Sequence, residues 1–457
     1  MADSAGSFTK LEYFRVEGLH KRQDIGIIMS GSVGIFIADN GSGKTTALYM
    51  LQCVLRGDFV KLTKFDYERI VVKFSGVDQF VLTPEDYEQS RSVTLLRRLN
   101  ERTGLPPSQV LRLAAMAKHQ PYHRLREDAA FMSAARSMRI PFSAFVDRLQ
   151  KFDQFSSPDT DMLSLADNSP LVRLRQFLSE SFCQSVLYLP TYRRIEQDLE
   201  ELLDLDEDEN EMTSDAIHFG MKDVNERIRS ATNQIGVHFI SSYGQISGQM
   251  LGQLAENTPL AEEMLGRLAN RSSIELVLGR VGENVTDTQK SLILKLYDNG
   301  ELSTNRHLSF FLSSLIEAYE QVQEVDRALQ RYAKVCNGYL INKEMRYDIL
   351  NATVAVYETI GNTKLDLDDL SSGEKQILGV MSELYLGDHD SYFVIFDEPE
   401  LSLSMDWQKK ILVDVAASHK TGSLVAVTHS PFVFENELDA FAKVLEVKFR
   451  SPTEGQR

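Results

Sequence analysis

The stretch Ala38-Asp39-Asn40-Gly41-Ser42-Gly43-Lys44-Thr45 decides the fold. It follows the apolar run Val33–Ala38 (VGIFIA) and opens Lys44–Leu55 (KTTALYMLQCVL), whose apolar residues fall near helical spacing. A strand, a glycine-rich turn and a helix in that order form the setting of a phosphate-binding loop. Glycines let successive backbone N–H groups turn toward one anion, and the helix start adds positive potential. Lys44 is then placed to reach β- and γ-phosphates, and the Thr45 hydroxyl to ligate Mg²⁺. The candidate nucleotide-binding residues are Asn40, Gly41, Ser42, Gly43, Lys44, Thr45 and Thr46. The strict pattern has Gly where this chain has Ala38. Taken alone, the motif leaves open a glycine-rich turn followed by a chance Lys-Thr.

Working outward, the residues before the loop alternate as β-structure in Phe8–Glu17 and Asp24–Met29, and a hairpin is predicted from Glu68–Phe74 and Phe80–Thr83. From Thr83-Pro84 the character turns to Arg, Leu, Ala and Met, which reads as a helical insertion to about Glu180. The short apolar run Ser185–Leu189 reads as a strand. Residues 197–335 read as mostly helical, with a break near Gly266–Val285 and a long helix over His307–Tyr332. Strand character returns in Met345–Tyr357, Tyr392–Phe396 and Val425–Thr428, with a helix over Leu370–Leu384. After His429 the residues suffice for a helix and one strand, Lys443–Phe449.

Composition narrows the classes. Among 457 residues, 43% are hydrophobic and 25% charged, the balance of a folded globular chain rather than a disordered one. No apolar run reaches the roughly 20 residues that cross a bilayer, so no membrane partner is expected. The start, MADSAGSFTK, lacks a basic region followed by an apolar core, and a cytoplasmic location is expected. Cys53, Cys183 and Cys336 lie far apart, which excludes a disulfide framework or zinc ribbon and predicts buried free thiols.

Net charge is −17, against a protein that coats nucleic acid with its whole surface. Residues 91–150, however, carry eleven Arg or Lys against four acids, so this block is +7 and the remainder −24. It reads either as a solvated helical face with internal salt bridges or as a receiver for an acidic partner or DNA. Asp198–Glu211 (DLEELLDLDEDENE) holds nine acids and no base, the pattern of an exposed loop.

Three downstream motifs complement the loop. In Val394-Ile395-Phe396-Asp397-Glu398-Pro399-Glu400 an apolar strand ends in two acids: Asp397 is the metal candidate and Glu398 the candidate base that activates water. A solvated strand end is the plainer alternative. Leu370-Ser371-Ser372-Gly373-Glu374-Lys375-Gln376 reads as a helix N-cap whose free first-turn amides could equally bind a γ-phosphate held by another subunit. His429, after Val425–Thr428, is a candidate γ-phosphate contact or a structural strand-end histidine.

The ordered set ADNGSGKT, LSSGEKQ, VIFDEPE and VTHSP resembles the ABC-type ATPases of the SMC and DNA-repair branch, above all the OLD-like group. That resemblance implies an α/β ABC-type ATPase head, a mixed sheet with a P-loop lobe and a signature lobe, carrying large helical insertions. It divides the chain into an N-terminal lobe with the P-loop (1–83), a basic helical insertion (84–184), a return to the core (185–196), a second helical insertion with the acidic loop (197–335) and a C-terminal lobe (336–457). It assigns LSSGEKQ as the signature, with Ser371 and Gly373 completing the site of the opposite copy, Glu398 as the catalytic glutamate and His429 as the switch histidine. Tyr192-Arg193-Arg194-Ile195-Glu196 resembles a stretch of OLD-like ATPases between the two nucleotide half-motifs. Departures are Ala38 and Ser404-Met405-Asp406, where many relatives have His-Pro; neither removes a phosphate or metal ligand.

The 327 residues from Lys44 to Ser371 exceed what a compact transporter ATPase needs, yet they lack the heptads of an SMC rod. The length after His429 leaves the expectation that a C-terminal TOPRIM nuclease is a separate chain. Length and motif placement are similar to the ATPase subunits of PARIS anti-phage defence systems. That resemblance implies ATP and Mg²⁺ as ligands and a homo-oligomer built on ATP-sandwich dimers. It further implies a TOPRIM-type nuclease partner released when a phage anti-restriction protein, acidic like DNA, is sensed. The rival expectation is a DNA-repair or recombination ATPase that clamps duplex DNA.

Overall fold

The computed structural model describes residues 9–39, 41–87, 112–113, 116–117, 120–128, 131–132, 134–135, 142–150, 169–190, 221–256, 261–282 and 285–450. Asn40, the Tyr192–Glu196 motif, the acidic run 198–211 and most of the basic block lie outside them. In chain order the strands are β1 (Leu11–Leu19), β2 (Gln23–Ile28), β3 (Val33–Ile37), β4 (Arg69–Phe74), β5 (Phe80–Leu82), β6 (Ser185–Leu189), β7 (Lys343–Asp348), β8 (Thr353–Glu358), β9 (Lys364–Leu365), β10 (Tyr392–Asp397), β11 (Thr421–Thr428), β12 (Ala442–Val444) and β13 (Glu446–Phe449). The helices used below are α1 (Lys44–Arg56), α2 (Pro170–Ser181), α3 (Met221–Glu256), α4 (Arg271–Arg280), α5 (Arg306–Asn337), α6 (Ser372–Leu386) and α7 (Met405–Ala417). The architecture is mixed α/β with long helical segments.

The chain forms two compact units. One comprises Met1–Tyr188, Ser391–Glu398 and Gly422–Arg457, the other Leu189–Asp390 and Pro399–Thr421. The first is built on two five-stranded sheets, ordered β13-β2-β1-β4-β5 and β12-β3-β11-β10-β6. In the former, β1 pairs antiparallel with both β2 and β4. Its register shifts between Leu11 and Tyr13 against β4 and between Val16 and Leu19 against β2. Each shift changes which side chains face inward, so Phe14, Val16 and Leu19 are all buried despite uneven spacing.

In the latter sheet β3 lies parallel to both β11 and β12. Every residue of β10, Tyr392–Asp397, is buried, as a continuous apolar run inside a sheet requires. Helix α1 turns Leu48, Leu51 and Val54 into a core shared with Phe14 and Ile25 of one sheet and Ile395 and Val427 of the other.

The second unit is dominated by helices. α3 spans 36 residues, about 54 Å at 1.5 Å per residue. It packs with α5 and α6 around Ile235, Ile274, Leu278, Leu315 and Leu329. The strand-like segments predicted within Met345–Tyr357 are β7 and β8, paired antiparallel, with β9 antiparallel to β8.

Four expectations are corrected. The break at Gly266–Val285 contains α4: Asn270 accepts from the Ser272 amide to start it. Ile274, Val277 and Leu278 bury its inner face, and Leu350 packs closely on Gly279, where a Cβ would meet Leu350 Cδ2 at 2.5 Å. No α-helix follows His429 among the described residues; two 3₁₀ turns occupy Pro431–Val433 and Asp439–Phe441. The single strand expected at Lys443–Phe449 divides at buried Leu445, whose amide donates to the Ile37 carbonyl at 2.8 Å. β12 thereby joins β3, and β13 crosses to β2. Cys53 and Cys336 are buried as expected, whereas Cys183 is exposed.

Candidate functional site

The loop after β3 is held at both ends. The Ala38 amide reaches the Thr428 carbonyl at 3.4 Å, and the Ser42 amide donates to the Asp39 carbonyl at 3.3 Å. Gly41 and Gly43 have φ of 77° and 76°, the left-handed region that a side chain disfavours. At Gly43 the restriction is double, because a Cβ there would lie 2.4 Å from Gln23 Nε2. Gly43 is the N-cap of α1, so the amides of Lys44, Thr45 and Thr46 begin the helix without intrahelical acceptors.

These residues line a recess of about 490 Å³, open to solvent, whose other wall carries His20, Arg22 and Phe449. The volume falls within the range of small-molecule sites. Arg22, Lys44 and a helix start give it positive potential.

At the adjacent strand ends, the buried Lys44 ammonium lies 2.5 Å from Glu398 Oε1. His429 Nε2 lies 3.6 Å from the same oxygen. Asp397 is fully buried at the end of β10. Glu398 follows with φ 50°, and its amide is fixed to the Val427 carbonyl at 2.9 Å. A non-glycine residue in that region costs on the order of 1–3 kcal/mol, so the sheet holds Glu398 against a local preference. The fold thus gathers Lys44, Asp397, Glu398 and His429, four residues spread over 386 positions, at the ends of β10 and β11 and the start of α1.

The residue chemistry suits a magnesium–triphosphate. Asp397 and the Thr45 hydroxyl are the hard oxygen donors that Mg²⁺ takes. Lys44 and the first-turn amides suit phosphate oxygens. The buried Ser42 hydroxyl has no hydrogen-bond partner among the described residues, an orphaned polar group at the loop itself.

Ser371 and Gly373 belong to the second unit. Ser371 caps α6 in a full capping box: its Oγ accepts from the Glu374 amide at 3.4 Å, and Glu374 Oε2 accepts from the Ser371 amide at 2.8 Å. Burial works to raise the Glu374 carboxyl, but Lys343 at 2.8 Å and the Ser371 amide and hydroxyl together hold it below the usual carboxylate value. Gly373 is required by packing: a Cβ there would meet the Ser402 carbonyl at 2.6 Å and the Trp407 ring at 3.1 Å. Ser404, within the departure noted in the sequence, caps α7 by accepting from the Trp407 amide.

Two supporting residues had no signal in the sequence. Gln23, buried on β2, donates from Nε2 to the Ser42 carbonyl at 3.0 Å and braces the loop. Lys343, on β7, neutralises Glu374 beneath the signature-like helix start. In each case the partner is brought close by tertiary folding. Of the basic block, Arg112, Arg124 and Arg126 are among the described residues, and the Arg126 guanidinium lies over the Tyr122 and Phe142 rings at 5.4 and 5.5 Å.

Among the described residues, no helix is long and apolar enough to cross a membrane. A search of curated proteins finds no match. Among solved structures, one match is the Smc head domain with an extended coiled coil bound to the C-terminal domain of ScpA, derived from Pyrococcus furiosus, at 11% identity and TM-score 0.34, covering 97% of each chain. Another is the SmcHead bound to the C-winged helix domain of ScpA, at 12% identity and TM-score 0.32, covering 97% of this chain and 98% of that one. At those TM-scores the superpositions carry no argument, and the fold rests on the strand order itself. Residues 290–435 match the family described as "AAA domain, putative AbiEii toxin, Type IV TA system", a span that holds Ser371, Gly373, Asp397, Glu398 and His429. Over that third of its length the chain is similar to an ATPase-type domain.

Proposed function

We propose that this chain binds and hydrolyses ATP with Mg²⁺, and that two copies close two shared sites. In each site Lys44, Thr45, Asp397 and Glu398 come from one copy and Ser371 and Gly373 from the other. The observation that carries the reading is the meeting of Lys44, Glu398 and His429 beside the glycine loop. Sequence neighbours could not produce that cluster, and a purely structural strand end gains nothing from a backbone held at positive φ.

Bound Mg²⁺ would neutralise charge building on the transferred phosphoryl group. Asp397 and the Thr45 hydroxyl would hold it. The Lys44 ammonium would bind phosphate oxygens, and the loop amides would orient them. The Glu398 carboxylate would orient a water and accept its proton, with His429 steadying that carboxylate from 3.6 Å. Gln23 would keep the loop carbonyl of Ser42 turned away from the phosphates.

In the cell this switch would serve as the sensor and scaffold of an anti-phage defence system. It would hold a separate TOPRIM nuclease inactive until a phage anti-restriction protein engages the basic 91–150 block. The order of the four motifs and the +7 charge of that block support the reading.

The test is ATP turnover and nucleotide binding by the purified full chain. Lys44→Ala is expected to abolish binding, and Glu398→Gln to retain binding while turnover stops. Unchanged turnover in either variant would overturn the site assignment. Co-purification with the product of a neighbouring reading frame, followed by mass measurement, tests the nuclease. Turnover stimulated by duplex DNA, with no such partner, would favour the DNA-clamp reading instead.

A further inference from the structure

The recess beside the glycine loop has two ends, and a triphosphate accounts for only one of them. The loop and the start of α1 form the phosphate end, while His20, Arg22 and Phe449 form the other. All of these residues belong to the first unit. Phe449 is the unusual member of the set. It is 74% exposed, and it lies on β13, an edge strand of its sheet. A large apolar side chain left bare on a sheet edge is a hazard unless a ligand or another element covers it.

Strand register says what Phe449 stands beside. It is the cross-strand partner of Gln23, and directly paired residues send their side chains to the same face of a sheet. Gln23 uses that face to reach the Ser42 carbonyl of the loop at 3.0 Å. Phe449 is therefore one strand interval, about 4.8 Å, from the residue that braces the loop, and on the loop's side of the sheet. With phosphates on the loop amides, a nucleotide's ribose would span that interval and bring its base to the ring.

Both supports of this end are fixed before any ligand arrives. The Arg450 amide donates to the Arg22 carbonyl at 2.7 Å. The Arg450 guanidinium donates to Asp24 Oδ1 at 2.8 Å and to Glu68 Oε1 at 2.6 Å. β13 is thus pinned at the residue after Phe449. The turn between β1 and β2 closes with the Arg22 amide on the Leu19 carbonyl at 3.1 Å, and its two central residues, His20 and Lys21, have φ of 52° and 58°. Asn and Gly fill such a turn with little strain, so His20 and Lys21 stand there against the local preference. An aromatic face near an imidazole and a guanidinium suits a flat π-ring, which it holds by stacking. A purine presents the larger face.

We propose that Phe449 is the platform on which the purine base of the bound nucleotide stacks, and that this ring sets a preference for purine over pyrimidine triphosphates. The inference rests on the ATP-binding reading above and adds to it the residue that reads the base.

Calorimetry on the full chain with Mg²⁺, comparing ATP, CTP and inorganic triphosphate, tests it. The unsubstituted chain is expected to bind ATP more tightly than CTP. Phe449→Ala should weaken ATP binding by at least about fivefold, narrow the difference between ATP and CTP, and leave inorganic triphosphate unchanged. Phe449→Trp should keep the affinity for ATP and report it directly. ATP, but not inorganic triphosphate, should quench the emission of the added indole, measured against the unsubstituted chain, whose one tryptophan is Trp407. Equal ATP affinity in Phe449→Ala, a loss shared by inorganic triphosphate, or no quenching beyond that of Trp407 would each overturn the proposal. If Lys44→Ala abolishes triphosphate binding but the unsubstituted chain holds ATP no tighter than triphosphate, the proposal falls and the phosphate site stands. A chain that binds neither would overturn both.

Discussion

Lys44 and Glu398 lie 354 positions apart in the sequence and 2.5 Å apart in space. What fixes the pair is the backbone on either side: a helix cap at Gly43 with φ 76° and a strand end at Glu398 with φ 50°. Gly43→Ala is the sharpest test at this scale. It adds a left-handed strain of about 1–2 kcal/mol and a clash with the Gln23 amide. We expect ATP affinity, measured by calorimetry, to fall by at least about tenfold. Gln23→Leu should act through the same carbonyl without touching a phosphate. Losing a buried hydrogen bond costs on the order of 1–3 kcal/mol, which should appear as weaker nucleotide binding with an intact sheet core.

At the scale of the element, α6 begins with a cap that its own sequence encodes. Ser371→Ala removes the acceptor for the Glu374 amide and is expected to cost about 1 kcal/mol, read by denaturant unfolding. The pH dependence of that cap has a definite sign. Glu374 is held below its ordinary value of 4.5 in the folded protein, so its contribution is complete above that value. It is lost as pH falls through the lower folded value. Glu374→Gln should therefore flatten the acid limb of the stability curve below about pH 4.5 while lowering stability at neutral pH. α6 also shows how a motif can serve packing and function together. Gly373, which the family resemblance assigns to phosphate contact, is required where it stands by the Ser402 carbonyl.

On the scale of the whole molecule, each unit has its own keystone. In the first it is the core where α1 meets both sheets, and Leu51→Ala there is expected to cost about 2–5 kcal/mol. In the second it is a buried ion pair. Arg280 on α4 lies 2.5 Å from Asp326 on α5, both almost wholly buried, with the Tyr347 hydroxyl bonded to the same carboxylate. The Arg280 guanidinium also lies over the Phe239 and Tyr319 rings, at 5.1 and 5.2 Å. Burial, then the Asp326 bond, pushes the Tyr347 hydroxyl well above its ordinary value, so it stays a donor. Asp326→Ala would leave a buried guanidinium without its counter-charge. We expect a loss of about 3–5 kcal/mol, seen as unfolding of the helical unit at lower denaturant.

The sequence by itself determined the phosphate-type loop, the strand that precedes it, the helix it opens and the buried strand that ends in Asp397-Glu398. All of these are set within a dozen residues by periodicity, glycine and burial. It also located α6, because a capping box is a local signal. It missed α4 inside an assumed break, and it joined β12 and β13 into one strand. Neither could be seen locally: α4 is a short helix held by burying Ile274, Val277 and Leu278 in the core it shares with α5, and Leu445 divides its strand because two different sheets each offer an edge. Only the tertiary structure decided that Gln23 braces the loop, that Lys343 neutralises Glu374 and that Lys44, Glu398 and His429 meet. Such pairings join residues whose separation in the chain carries no information about their distance. They are fixed by how sheets and helices bury their apolar faces, and side-chain chemistry is then completed by whatever that burial brings within reach.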